Sequence, residues 1–179
     1  MWYSNGMNVK TRENTCCFTG HRAEKLPWKY NEADPECLRL KDVILDVLGM
    51  LYDEGFRHFI CGMATGADMY FGEAVIDLRA EHPDVTLEAA VPFAGQERSW
   101  PLKARLRYAR LAEACNERTV LSDAYTRSCM LERNRYMVDH SSVLVAVYDG
   151  RPGGTKYTIR YAVSQGVDVI QIPPFMTGA

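Results

Sequence analysis

The sequence predicts one α/β domain of the doubly wound, Rossmann-like type, with a mainly parallel sheet of about six strands and helices on both faces. Three observations carry that expectation. Short apolar runs alternate with amphipathic stretches from end to end. The 179 residues suit a single domain with short appendages. Glycine-rich turns follow several of the apolar runs, where such sheets place their ligands.

The elements follow in order. Cys16-Cys17-Phe18-Thr19, closed by Gly20, reads as a first strand. Leu40, Val43, Ile44, Val47, Leu48 and Leu51 recur at three- and four-residue spacing, an amphipathic helix stopped by Gly55. Phe59-Ile60-Cys61 is a second strand, and the turn from Gly62 to Gly66 leads into a helix from Ala67 to Ala80, closed before Pro83. Val85 to Val91 forms a third strand, ended by Pro92. Leu102, Leu106, Ala109 and Ala112 mark a helix, Arg118 to Leu121 a brief strand, and Met130, Arg133, Met137 and Val138 a further helix. Val143 to Val147 is the most continuous apolar run and reads as a buried strand. A Gly-Gly-Thr turn, a helix from Lys156 to Gln165 and a strand from Val169 to Ile172 complete the pattern before Pro173-Pro174. The domain is expected over residues 15–174, after a polar lead-in at 1–14 and before a tail at 175–179.

Composition removes several function classes. Lys and Arg number 21 against 23 Asp and Glu, a net charge of −2, which argues against a protein that coats nucleic acid. No apolar run approaches the roughly 18–20 residues that cross a bilayer, so no membrane partner is expected. Met1 to Thr15 lacks the apolar core of a secretion signal. The six cysteines contain no C-x-x-C pair, and Cys17 and Cys61 lie in apolar runs where a thiol acts as a small core hydrophobe. A reduced, cytoplasmic protein is the expectation. His58, His82 and His140 stand apart from other ligand types, so no metal site is assigned.

Three turns carry the candidate chemistry: Thr19-Gly20-His21-Arg22, Cys61-Gly62-Met63-Ala64-Thr65-Gly66-Ala67-Asp68, and Asp149-Gly150-Arg151-Pro152-Gly153-Gly154-Thr155. Glycine lets backbone N–H groups approach an anion, and the helix that follows adds partial positive charge. Neither a G-x-G-x-x-G fingerprint nor a P-loop is present. Arg22, with His21 beside it, suits a bidentate phosphate contact, against a plain surface or capping role. Asp68 near a helix start fits a ribose hydroxyl or simply the helix dipole, and Thr65 offers a hydroxyl to the same ligand. Gln96 and Trp100, four apart, either present an amide and a flat ring to a ligand or pack on the domain surface. Gly153, Gly154 and Thr155 form the expected phosphate cradle, with Thr155 at a helix N-cap. Arg98, Lys103, Arg105, Arg107 and Arg110 form a basic run that reads as a solvated helix face, a protein-partner surface or a phosphate track. Asp139, His140, Ser141 and Ser142 are too close in sequence to converge as a triad, and G-x-S-x-G is absent.

Taken together, Phe18-Thr19-Gly20-His21-Arg22 with Lys25-Leu26-Pro27, Gly62 with Gly66-Ala67-Asp68, Pro92-Phe93 with Gln96 and Trp100, Arg133-Asn134, and Tyr148-Asp149-Gly150 with Gly153-Gly154-Thr155 resemble the YpsA-like family of the SLOG superfamily. The likeness runs from Cys16 to Ile172. It implies a Rossmann-like fold and a pocket for a nucleotide-derived ligand, of the NAD, ADP-ribose or nucleoside phosphate kind, with no required cofactor and no settled reaction. It adds Arg133, Asn134 and Asp149 to the ligand set; a surface pairing of Arg133 with Glu132 or Asp139 is the alternative. The superfamily's frequent dimers extend to this chain the expectation of a homodimer.

Two better-understood relatives sharpen the function. The LOG group of cytokinin-activating phosphoribohydrolases carries a Met-x-x-Arg-Lys-x-x-Met helix, a Pro-Gly-Gly-x-Gly-Thr turn and then a glutamate. Here Met130, Arg133 and Met137 match, Asn134 replaces the lysine, and Lys156-Tyr157-Thr158-Ile159-Arg160 supplies no carboxylate after Thr155. N-glycosidic cleavage needs a carboxylate beside an oxocarbenium-like centre and an acid for the departing base. The leading expectation is therefore a protein that binds a nucleotide-type ligand and reports it to a protein partner, without strong catalysis. An N-glycosidic-bond hydrolase, with Asp68, Asp149 or another carboxylate replacing the glutamate, is the alternative. Single-stranded DNA binding, as in the related DprA-like proteins, is the second, against which the balanced charge weighs.

Overall fold

In the computed structural model, which describes residues 9–175, strands and α-helices alternate along the chain. Residues 1–8 of the expected lead-in and 176–179 of the tail lie outside the described residues. The elements are β1 (Thr15–Gly20), α1 (Pro35–Asp53), β2 (His58–Cys61), α2 (Ala67–Glu81), β3 (Thr86–Val91), α3 (Leu102–Ala114), β4 (Glu117–Val120), α4 (Cys129–Asp139), β5 (Val143–Val147), α5 (Gly154–Ser164) and β6 (Asp168–Ile172). A short 3-10 turn, Ala23–Lys25, follows β1. All neighbouring strands pair in parallel, in the order β4-β3-β2-β1-β5-β6. The order reverses between β1 and β5, where diverging loops open a crevice beyond the carboxyl ends of the strands.

Alternation along the strands divides the core. Cys16 and Phe18 of β1 face α1, α2 and α3, where Phe18 stacks on Phe71 with ring centroids 4.5 Å apart. Cys17 of β1, with Ile60, Ala90, Leu144 and Ala146, faces α4 and α5. Both faces of the central strands are thus covered, which is why β5 reads as unbroken apolar sequence. All six cysteines are free thiols, five of them buried.

Three local expectations are corrected. Helix α1 starts at Pro35, five residues before Leu40, because Asp34 accepts the Glu36 N–H as N-cap and Pro35 suits the first turn. Helix α5 starts at Gly154, so its N-cap is Gly153 and Thr155 lies inside the first turn. The basic run on α3 is not uniformly solvated. Arg107 bridges Glu73 and Glu32, with a 2.7 Å contact to Glu73 from both Nε and Nη2, while Leu102 and Leu106 point to solvent.

Candidate functional site

The crevice at the β1–β5 reversal holds a pocket of about 690 Å³, counted with the solvent in its mouth. Four segments meet there: the end of β1 with the turn after it, the β2–α2 loop, the inner face of α4, and the turn into α5. Of the predicted ligand residues, Gly20, His21, Arg22, Asp68, Arg133, Asn134, Gly153, Gly154 and Thr155 line it. Gly62 and Gly66 stand directly behind the lining, and Asp149 supports His21 from outside. Thr65 is half-buried in the same loop but not in the lining. Gln96 and Trp100 lie elsewhere, beside α3, where Trp100 meets Tyr108 edge-on at 5.6 Å.

Two glycines make the assembly possible. At Gly66 the backbone is left-handed, with φ of 90°, and a Cβ there would come within 2.4 Å of the Ala23 backbone nitrogen. That close approach locks the β2–α2 loop onto the turn after β1, sealed by the Ala67 N–H donating to the His21 carbonyl at 3.1 Å. At Gly62 a Cβ would fall 1.6 Å from Arg133 Nη1. Only glycine leaves room for that guanidinium.

Arg133 crosses from α4 into this gap. It is 6% exposed, its Nη1 donates to the Gly62 carbonyl at 2.5 Å, and the same nitrogen stands 3.7 Å from Asp68 Oδ2. Its Nε has no hydrogen-bond partner among the described residues. Asp68 also accepts the Ala64 N–H at 3.1 Å. Burial pushes the Asp68 carboxyl above its usual range, although Arg133, the Ala64 N–H and Arg22 all favour the ionised form. Burial lowers the Arg133 value, Asp68 opposes that, and the nearby Arg22 charge adds to it. Among the described residues Arg133 is thus the guanidinium within ion-pair distance of Asp68, and Arg22 adds a longer-range positive charge.

The rim adds more positive charge. Arg22 is half-buried and Lys25 exposed, and neither forms an ion pair among the described residues. A side chain at Gly153 would sit 3.6 Å from the Lys25 ammonium, so Lys25 overhangs the glycine turn. Among the described residues no side chain caps α5, whose first intrahelical bond runs from the Tyr157 N–H to the Gly153 carbonyl. The N–H groups of Gly154, Thr155 and Lys156 precede that bond and remain free to meet an anion. Asn134 holds this turn in place: its Nδ2 donates to Thr158 Oγ1 at 2.8 Å, which donates to the Gly154 carbonyl at 2.9 Å.

His21 Nε2 is 2.8 Å from Asp149 Oδ1, and Arg151 Nε donates to Asp149 Oδ2 at 2.6 Å. Burial raises the Asp149 carboxyl, but the Arg151 N–H, His21 and the Arg151 guanidinium outweigh it and hold it below the usual range. Asp149 thus orients His21 as a fixed anion.

Phe18, Thr19, Lys25, Ala64, Met130, Met137 and Pro152, none of them among the expected ligand residues, also line the pocket. Lys25 carried a signal, since it belongs to the motif that begins at Phe18. Met130 and Met137 carried one in the Met-x-x-Arg helix pattern they match, although helical spacing alone reads the same for a core and for a pocket wall.

A second polar cluster lies at the amino half of the sheet. His58, Glu88 and Glu117 bring ligand-type atoms within 4.8 Å of one another. The Lys10 ammonium stands between the two carboxylates, 2.5 Å from Glu88 and 2.9 Å from Glu117. A cation is already in place there.

The chain is 31% identical over 142 residues to the SPbeta prophage-derived protein YoqJ of Bacillus subtilis, covering 72% of this chain and 83% of that one. It is 29% identical to a UPF0398 protein of Staphylococcus haemolyticus, covering 79% and 76% of the two chains. It is 27% identical to the UPF0398 protein YpsA of Bacillus subtilis, covering 73% and 74%. Among solved structures, DNA processing protein A (DprA) of Streptococcus pneumoniae superposes with a TM-score of 0.59 at 17% identity, over 89% of this chain and 50% of that one. DprA of Helicobacter pylori, whose structure addresses single-stranded DNA binding, gives 0.59 at 14% identity, over 97% and 70%. This chain thus spans half the length of the Streptococcus protein, and these two likenesses are of fold. The model of the family described as YspA SLOG matches residues 16–169, and the chain belongs to that family.

Proposed function

We propose that the pocket between β1 and β5 binds a nucleotide or nucleotide-derived ligand, and that the protein acts as a sensor or regulator of that ligand. One observation carries the reading: the buried Arg133, whose Nε has no partner among the described residues, stands 3.7 Å from Asp68, the carboxylate of the lining, with the Arg22 charge on the rim. A buried guanidinium with an unsatisfied donor is costly, and a phosphate or polar ligand edge supplies the missing acceptor. The phosphate sits on the free N–H groups of α5, under Lys25 and Arg22. Asp68 faces a ribose hydroxyl, and the sulfur-rich wall of Met130 and Met137 takes the apolar part. No carboxylate follows Thr155, which favours binding over cleavage.

Thermal unfolding with AMP, NAD and ADP-ribose tests the proposal. A ligand at a hundred times its Kd adds about 2.7 kcal/mol of stability. The stabilisation is expected for wild type and lost in Arg133→Met. If none of the three stabilises the protein, or the variant responds equally, the assignment fails. Release of free base in the same mixtures, followed by chromatography, would instead make the protein a hydrolase with Asp68 as its acid. Binding to an oligonucleotide that collapses with salt would move the site to single-stranded DNA.

A further inference from the structure

A groove between the second half of α1 and the end of α2 carries charge of one sign. Asp46 and Asp53 of α1, Glu54 just after it, and Asp77 and Glu81 of α2 line its volume of about 1280 Å³, counted with the solvent in its mouth. None of these carboxylates makes an ion pair among the described residues. The cations of both helices are committed elsewhere: Arg39 to Glu36, Lys41 to Glu32, and Arg79 to the Asn116 side chain and the Ala114 carbonyl.

Acidity alone would describe a solvated face. Two further observations set this groove apart. The first is apolar surface among the carboxylates: Leu45 is 40% exposed and Met50 is 44% exposed, with Leu78 beside them in the lining. The second is Gly49, which lies inside a 19-residue helix, where glycine weakens the helix. A Cβ at Gly72 would press on Leu111 at 2.9 Å, whereas one at Gly49 would meet nothing within 4 Å. Nothing among the described residues requires that glycine, and the bare backbone it leaves in the groove admits a close approach from outside.

The chemistry selects the occupant. Nucleic acid and an anionic lipid surface are repelled by the carboxylates. An extended peptide would lay its backbone N–H and C=O groups against helices, with no strand edge to pair them. A helix keeps those bonds internal and packs between two others as a ridge in a groove.

We propose that this groove docks a Lys- and Arg-rich amphipathic helix of another protein. Its apolar stripe lies over Leu45, Gly49 and Met50, and its cations meet the carboxylates on either side. The groove shares no lining residue with the β1–β5 pocket, so the inference stands whatever that pocket binds.

Fluorescence anisotropy on the full chain tests it, with a labelled synthetic helix of about 18 residues that carries Leu on one face and Lys on the other. Binding is expected, weakening as salt rises, and about tenfold weaker for a peptide of the same composition with its leucines scattered. Gly49→Trp, and Asp77→Lys combined with Glu81→Lys, are each expected to weaken it about tenfold with unchanged circular dichroism. Asp123→Lys, which reverses an exposed acid elsewhere, is expected to leave it unchanged. Gly49→Ala is expected to raise the Tm of the free protein while weakening the peptide. A wild type that does not bind the helical peptide overturns the proposal. So does equal binding of the scattered peptide, which would make the face a plain counterion surface. Indifference to Gly49→Trp or to the double charge reversal overturns it too, as does a Tm lowered by Gly49→Ala, which would give the glycine a role inside the domain.

Discussion

At the amino half of the sheet, Glu88 is fully buried and receives four contacts: Lys10 at 2.5 Å, His58 at 2.9 Å, Thr119 at 2.8 Å and Tyr136 at 2.6 Å. At the carboxyl end, Arg133 is nearly as buried, yet among the described residues its Nε has no partner and its carboxylate neighbour, Asp68 Oδ2, stands 3.7 Å away. The same sheet thus carries one completed charge network and one incomplete one. The difference separates structure from function. A network that satisfies every group needs nothing from outside, whereas an incomplete one is stable only because the surrounding packing imposes it.

The largest expected effect tests the completed network. Glu88→Ala strands a histidine, an ammonium and two hydroxyls, and is expected to cost about 3–5 kcal/mol in urea unfolding. Arg133→Met, which keeps the apolar stem, is expected to cost only ~1–3 kcal/mol, mainly the lost bond to the Gly62 carbonyl, while abolishing the nucleotide response. Equal losses from the two substitutions would erase the contrast.

Acid titration distinguishes the two carboxylates by sign. In Glu88, burial is overridden by His58, Lys10, Tyr136 and Thr119, and its value falls far below the usual range. Its stabilisation is complete above the ordinary glutamate value of about 4.3 and is lost as pH falls through the lowered folded value. Asp68 is raised by burial. Its contribution is therefore complete below the ordinary aspartate value of about 3.9 and is lost as pH rises through the raised folded value. Unfolding free energies from pH 3 to 7 are expected to lose acid sensitivity in Glu88→Gln and to gain stability at neutral pH in Asp68→Asn. Shifts in the same direction would contradict these assignments.

The smallest expected effect concerns positioning. Thr158→Val breaks the link from Asn134 to the Gly154 carbonyl and is expected to cost about 1 kcal/mol. Nucleotide affinity is expected to fall a few-fold with it, read by calorimetry. An unchanged affinity would mean that the turn into α5 holds its shape without the link.

The strands and the glycine turns were legible in the sequence because both follow from local rules. Apolar runs such as Val143 to Val147 have no stable exposed form, and positions such as Gly66 tolerate no side chain. The convergence of Arg22, Asp68, Arg133 and Gly153–Thr155 followed from parallel topology, which sends these turns to one edge. Other features depended on partners distant in the chain. Leu102 and Leu106 have the spacing of a core stripe, and nothing local told which side of α3 Glu32 and Glu73 would claim. Glu88 sits in an apolar strand, and its four partners come from four separate segments. Gln96 and Trp100 followed a motif in sequence, yet the turn after β3 carries them beside α3.

On the proposed reading, Arg133 and the turn into α5 together complete their hydrogen bonds on a nucleotide. Heteronuclear NMR during titration with ADP-ribose, AMP and NAD reads those groups directly. At least one of the three is expected to shift the Arg133 Nε–H and the amides of Gly154, Thr155 and Lys156, while Glu88 and its partners stay fixed. Resonances at both ends of the sheet that ignore all three nucleotides, or shifts that bypass Arg133, would contradict it.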